Sequence, residues 1–207
     1  MGGRGARKGG ATGGAGGFIT ETTSLLSARE TKTQEVDEVM AAVKSVYDWY
    51  GVDLTDIQLA KMGARRENVL AYYDSRGNLA INERYFDSAK MNAAYDDCIA
   101  LGFHPPRGNK SALEATAAHE LGHRLNHELA GGDWGKMDAE ANSIVAAAKK
   151  SAGFKSVDDL RRSISGYATQ DNAETIAEAF ADVYCNKGNA SRASAAVVAE
   201  LNARLGR

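Results

Sequence analysis

Proline and cysteine are almost missing from this 207-residue chain, which has two of each. Two thiols, Cys98 and Cys185, are too few for a disulfide framework, and without an export signal they lead to the expectation of a reduced, intracellular protein. No apolar run approaches the roughly 20 residues that a membrane helix needs. The basic residues Arg4, Arg7 and Lys8 are followed by glycine rather than by an apolar segment, so an ordinary secretory signal is not expected either. Ala6 stands where a myristoylation motif beginning Met1-Gly2 wants Ser or Thr. Acidic residues are absent before Glu21, which leaves residues 1–17 with a charge of +3. The other 190 residues carry 22 basic against 27 acidic side chains. An acidic body argues against nucleic acid as the main partner, and three charges make a poor counterion-release footprint.

Glycine, by contrast, is abundant but unevenly placed: nine of the 22 fall within residues 1–17. That segment reads as a flexible Gly-rich leader, and residues 18–207 as a single domain, long enough to bury about 70% of the surface its unfolded chain exposes. Val36, Val39, Met40, Val43, Val46, Tyr47 and Tyr50 recur at helical spacing, which predicts an amphipathic helix over 33–50 closed by Gly51. A strand is expected near Ile57–Ala60. A hairpin is expected from Val69–Tyr73 and Leu79–Asn82 around the turn residues 74–78. Ser88 is expected to cap a helix that carries Cys98 on its buried stripe and stops at Gly102. Ser111 and Glu114 form a capping-box pattern at the start of a helix reaching Ala130. Further helices are expected at about 137–151, 157–163, 172–186 and 192–205. A small sheet followed by mostly helix is an α+β pattern.

The capped helix contains His119-Glu120-Leu121-Gly122-His123. Residues four apart share a helix face, so both imidazoles can reach one Zn²⁺ ion, while Glu120 sits beside them to handle the water it activates. A catalytic zinc wants a third protein ligand. His127 is excluded on a straight helix, since eight residues are a rise of about 12 Å from His119 against bonds of about 2.1 Å. It reads instead as a solvated residue near the helix end, where an imidazolium suits the dipole. Asn126 and Leu129 stand where the metzincin pattern needs Gly and His. Downstream, Glu174 and Glu178 are four apart on one predicted helix, with Ile176, Phe180 and Val183 on its other side. They are either candidate ligands or a solvated acidic face. His104, before Pro105 and Pro106, reads as loop structure outside the site.

The His119–His123 motif, followed downstream by the run from Ser165 through Tyr167, Glu174 and Glu178 to Phe180, resembles the zinc metallopeptidases of the anthrax lethal factor and Pro-Pro endopeptidase group. It is similar also to related peptidase-like proteins of bacteriophages, as are Gly102-Phe103-His104-Pro105 and the Met-Gly-Gly-Arg-Gly start. In that group a tyrosine precedes the third-ligand glutamate by seven residues, the interval from Tyr167 to Glu174. The resemblance implies a zincin-like fold in which a small mixed sheet with a β-hairpin edge packs on the HExxH helix, followed by a mainly helical C-terminal part. It implies one catalytic Zn²⁺ on His119, His123 and Glu174, with Glu120 as general base, Tyr167 supporting the oxyanion and Glu178 orienting a ligand imidazole. The expected activity is that of a zinc endopeptidase acting on a protein or peptide, in the cytoplasm of its producer or associated with a phage. An extended substrate would pair with the strand around Leu79–Asn82. A non-catalytic virion or host-interaction module would lose Glu120 or Tyr167 first, and both are present. A nucleic-acid-linked protease of the SprT type would want a basic patch or a zinc ribbon, and neither is found.

Overall fold

The computed structural model describes residues 19–63, 67–74 and 76–207; the leader at 1–17 lies outside the described residues. Strand β1 (Ile19–Ser24) runs into a single helical turn, α1 (Leu25–Ala28), and then into α2 (Thr33–Tyr50). Three further strands follow: β2 (Ile57–Met62), β3 (Ala71–Tyr73) and β4 (Leu79–Asn82). The rest is helical: α3 (Ser88–Ala100), α4 (Ala112–Leu129), α5 (Met137–Ser151), α6 (Val157–Arg162), α7 (Asn172–Asn186) and α8 (Arg192–Arg204). The molecule is therefore α+β, mostly helical, with one small mixed sheet among the described residues. None of its described helices is long and apolar enough to cross a membrane.

The sheet has the order β1-β2-β4-β3, with β2 and β4 parallel and the outer pairs antiparallel. This corrects the expected position of the free edge. β4 is an inner strand, bonded on both sides, and the edge next to the hairpin turn is β3. The reason is that β2 claims the outer flank of β4 through the register Ile57↔Leu79 to Ala60↔Asn82, so that of the two hairpin strands it is β3 that lies at a sheet edge. The hairpin turn is held by Asp74, whose carboxylate accepts from the Arg76 and Asn78 amides at 2.8 and 2.9 Å. Asn82 continues the pairing past the strand ends, its Nδ2 donating to the carbonyls of Val69 and Glu67. Side chains alternate as the pleat demands. Ile57, Leu59, Leu79 and Ile81 join the main core, while Ala60, Tyr72 and Ala80 cluster on the opposite face.

Helix bounds agree closely with the spacing of apolar residues and glycines, with two corrections. The N-cap of α3 is Asp87, which accepts from the Lys90 amide at 2.9 Å, and Ser88 is the first helical residue. Cys98 is half-buried rather than on the buried stripe, and both cysteines are free. Strand β1 was not foreseen. Residues 21–24 are all exposed, so the strand has no buried alternation there for a periodicity argument to detect.

The most extensive helix packing is between α4 and α7. It is close because Gly122 has no side chain: a Cβ there would lie 2.8 Å from the Ala177 Cα and 3.2 Å from the Phe180 Cβ. Replacing an interior helical glycine by alanine ordinarily gains about 0.5–1 kcal/mol. Here the sign reverses. Gly122→Ala is expected to destabilise the fold by about 1–3 kcal/mol, the usual range for an overpacked core. Gly188→Ala, where a Cβ meets nothing within 4 Å, should leave the midpoint nearly unchanged. Denaturant unfolding of the two variants checks this.

Candidate metal centre

Both ends of the α4–α7 pair are anchored by local hydrogen bonds. Ser111 and Glu114 form the capping box that starts α4, with Oγ accepting from the Glu114 amide at 3.1 Å and Glu114 Oε2 accepting from the Ser111 amide at 3.0 Å. Asp171 caps α7 through one carboxylate oxygen that accepts from the Ala173 and Glu174 amides at 2.9 and 2.8 Å. Glu174 thus sits in the first turn of α7, where the helix N-terminus favours a negative charge. One turn on, Glu178 lies on the same face. Neither carboxylate is solvated: Glu174 is 3% and Glu178 0% exposed, so the acidic-face alternative does not hold.

His119, His123 and Glu174 bring one donor atom each into a single buried group, all within 4.8 Å of one another. The Nε2 atoms of both histidines lie 3.2 Å from the same Glu174 Oε2. Ligands held tetrahedrally at about 2.0–2.1 Å from a metal are roughly 3.3 Å apart, and these two contacts match that spacing. The three atoms are also buried without a hydrogen-bond partner. Orphaned polar atoms in an apolar interior are costly, and three that converge are accounted for by a cation between them. Two imidazoles and a carboxylate are a donor set that could hold a metal ion.

The other expected residues surround this group. Both carboxylate oxygens of Glu120 are buried without a well-formed hydrogen bond, and the Tyr73 main-chain amide is a polar group that approaches them. Burial raises the pKa of Glu120 and the neighbouring imidazoles oppose the rise. The Tyr167 ring is 5.9 Å from that of His119, and its main-chain amide donates to the Phe103 carbonyl at 2.9 Å. Burial, followed by the charges of Glu174, Glu120 and Glu178, pushes the Tyr167 phenol far above its ordinary range, so it keeps its proton. Glu178 Oε1 lies 2.7 Å from His119 Nδ1, on the opposite side of the ring from the Nε2 that faces Glu174. Burial opposes ionisation of both α7 carboxylates. Even so, His123 and His119 hold Glu174 well below the usual carboxylate range, and His104 and His119 bring Glu178 to about 2. Burial would also keep the His119 ring neutral, but Glu174 and Glu178 outweigh it and raise that ring to about 10 in the metal-free protein.

Two histidines depart from expectation. His104 is not loop structure outside the site: it is buried, and its Nδ1 lies 2.9 Å from Glu178 Oε1. The bend at residues 102–106 folds inward because Gly102 and Phe103 pair with the segment before α7, their carbonyls accepting from the Gly166 and Tyr167 amides at 2.8 and 2.9 Å. Gly166 permits this approach, since a Cβ there would lie 3.1 Å from the Gly102 oxygen. His127 is not solvated either. The hairpin and the loop before α5 close over the end of α4, putting Tyr73 Oη 3.3 Å from His127 Nδ1 and the Trp134 ring 5.0 Å from the imidazole. Sequence reasoning missed Ser165 as well, whose Oγ donates to Glu178 Oε2 at 2.7 Å. The only sequence signal for these contacts was the His-Pro-Pro run, which marks a rigid loop without saying where it turns.

The fold and site together define a mostly helical α+β protein with a buried His₂-carboxylate group able to hold a metal ion. The chain matches no protein-family model, no curated protein and no solved structure.

A metal entering this group competes with the proton that the carboxylates hold on His119. Below a pH of about 10 the metal-free ring is protonated, so uptake at pH 7.5 should release about one proton. Apparent affinity should rise by up to about tenfold per pH unit between 6 and 8. Calorimetric titration with Zn²⁺ as the probe, in buffers of different ionisation enthalpy, measures both.

Proposed function

We propose that this chain is a zinc-dependent endopeptidase of the kind its sequence resembles, the lethal factor and Pro-Pro endopeptidase group. The observation that carries the reading is the convergence of His119 Nε2, His123 Nε2 and Glu174 Oε2 in one buried group, with the Glu120 carboxylate under the charge of both imidazoles. Two imidazoles and one carboxylate are the donor types of a catalytic three-ligand zinc site, and His119, His123 and Glu174 would hold the ion. Zinc held there would supply Lewis acidity for activating water and polarising a carbonyl.

The chain's own residues do the rest. Glu120 takes the proton from the attacking water and later passes it to the leaving amine. A raised pKa makes this carboxylate a stronger base than one in water. Tyr167, kept protonated, donates to the scissile carbonyl oxygen as negative charge develops. Glu178 holds His119 with its Nε2 turned toward Glu174. The edge that would align an extended peptide is β3, which packs against α4. Main-chain hydrogen bonds to that edge position a substrate without reading its sequence.

Incubation with casein or a peptide library, followed by mass spectrometry of the products, tests the reading. Cleavage is expected, with loss on chelation. Glu120→Ala should lower the rate by about 10²–10⁴ while keeping the metal. Tyr167→Phe should lower kcat by about 10²–10³, as removal of one oxyanion donor does. Cleavage that survives the chelator, or an active Glu120→Ala, overturns the mechanism. A protein that binds zinc without turnover is instead the non-catalytic module.

A further inference from the structure

Glu178 is held from three sides, by the ligand histidine His119 and by two groups outside the metal ligands, His104 and Ser165. Its Oε1 faces two imidazole nitrogens at once, His119 Nδ1 at 2.7 Å and His104 Nδ1 at 2.9 Å. Its Oε2 accepts from Ser165 Oγ at 2.7 Å, and that hydroxyl accepts in turn from the Ala168 amide at 3.1 Å. An ionised carboxylate oxygen only accepts, so His104 donates its Nδ1–H to it in a formed hydrogen bond, while His119 Nδ1 meets the same oxygen as a close ion-pair contact without hydrogen-bond alignment. Once the ring gives up its second proton to a metal, this contact favours the His119 tautomer that keeps its proton on Nδ1 and leaves the Nε2 lone pair for the ion. For His104 the tautomer is corroborated from the other side of the ring: Nε2 is buried without a partner, and a donor there would be stranded.

The His104 ring is itself fixed. Tyr95 stacks on it with centroids 4.9 Å apart and planes within 11°, and Phe103 and Tyr167 meet it edge-on at 5.6 and 5.5 Å. Its loop is bonded to residues 166 and 167 through the Gly102 and Phe103 carbonyls. The Asn186 side chain also donates to the Pro106 carbonyl at 2.7 Å. An immobilised donor so placed stops the Glu178 carboxylate from turning about its terminal bond.

We infer that His104 is a positioning residue for the metal: through the shared Glu178 oxygen it fixes the orientation and tautomer of His119. The inference rests on the reading of His119, His123 and Glu174 as the zinc ligands. Removing a partner at this distance from a metal typically costs 10–100-fold in affinity.

Two substitutions separate the donor from the ring. His104→Phe keeps the stack on Tyr95 and loses Nδ1–H; His104→Asn loses the stack and keeps an N–H donor near the same place. Zn²⁺ affinity, measured by chelator competition, should fall about 10–100-fold in His104→Phe and recover most of that loss in His104→Asn. The visible absorption of the Co²⁺-loaded protein should shift in His104→Phe and return toward wild type in His104→Asn. In the wild-type protein, nitrogen-edited NMR should find a protected Nδ1–H on His104 that moves on Zn²⁺ addition, a readout that needs no variant to fold. Wild-type affinity and an unshifted Co²⁺ spectrum in folded His104→Phe, or a His104 Nδ1 without a proton, overturns the inference alone. Wild-type protein that fails to bind Zn²⁺ overturns the metal reading together with it.

Discussion

The site depends on two helices coming closer than side chains ordinarily allow. Gly122 lies inside the His-Glu-Leu-Gly-His turn itself, and Ala177 lies between Glu174 and Glu178 on the facing helix. The contact between the smallest residues of each helix is therefore flanked by their most polar ones. Wherever the backbones touch, the imidazoles of one helix are driven against the carboxylates of the other. A larger residue at either position separates the helices and, with them, donors that now lie 3.2 Å apart. The geometry of the His₂-carboxylate group and core packing are the same constraint in this molecule.

Bringing Glu120, Glu174 and Glu178 into one apolar interior concentrates negative charge that burial alone would not tolerate. The histidines answer part of it. His119 touches both α7 carboxylates, His123 touches Glu174 and His104 touches Glu178. Yet the atoms that face the middle of the group, Glu174 Oε2 and the Nε2 atoms of His119 and His123, have no hydrogen bonds. A divalent ion there would satisfy all three atoms and, after release of the His119 proton, add one net positive charge, which would tie the stability of the group to its loading.

Helices were legible because their signals are local. The apolar stripe from Val36 to Tyr50 and the Ser111–Glu114 capping box each lie within a few turns, and the helices fall where these place them. The pair His119 and His123 was legible for the same reason, since helical spacing alone puts them on one face. Glu174 and Glu178 were ambiguous on spacing, because an amphipathic helix can turn acids toward water or toward a neighbour, and the choice rests with Gly122 on another helix. His104 and His127 were misplaced because each is buried by segments distant in sequence: residues 166–178 in one case, the hairpin and Trp134 in the other. The β2–β4 pairing escaped notice likewise, for a parallel partner leaves no turn between the strands to announce it.

The short third strand has a consequence of its own. An edge that can accept a substrate peptide can accept the edge of another molecule, and proteins with long, flat, open strands risk polymerising through them. β3 offers only Ala71–Tyr73 before Asp74 turns the chain away, and its side chains are buried. Three residues present too few main-chain donors and acceptors to template a second sheet. The brevity of that edge separates transient pairing from aggregation.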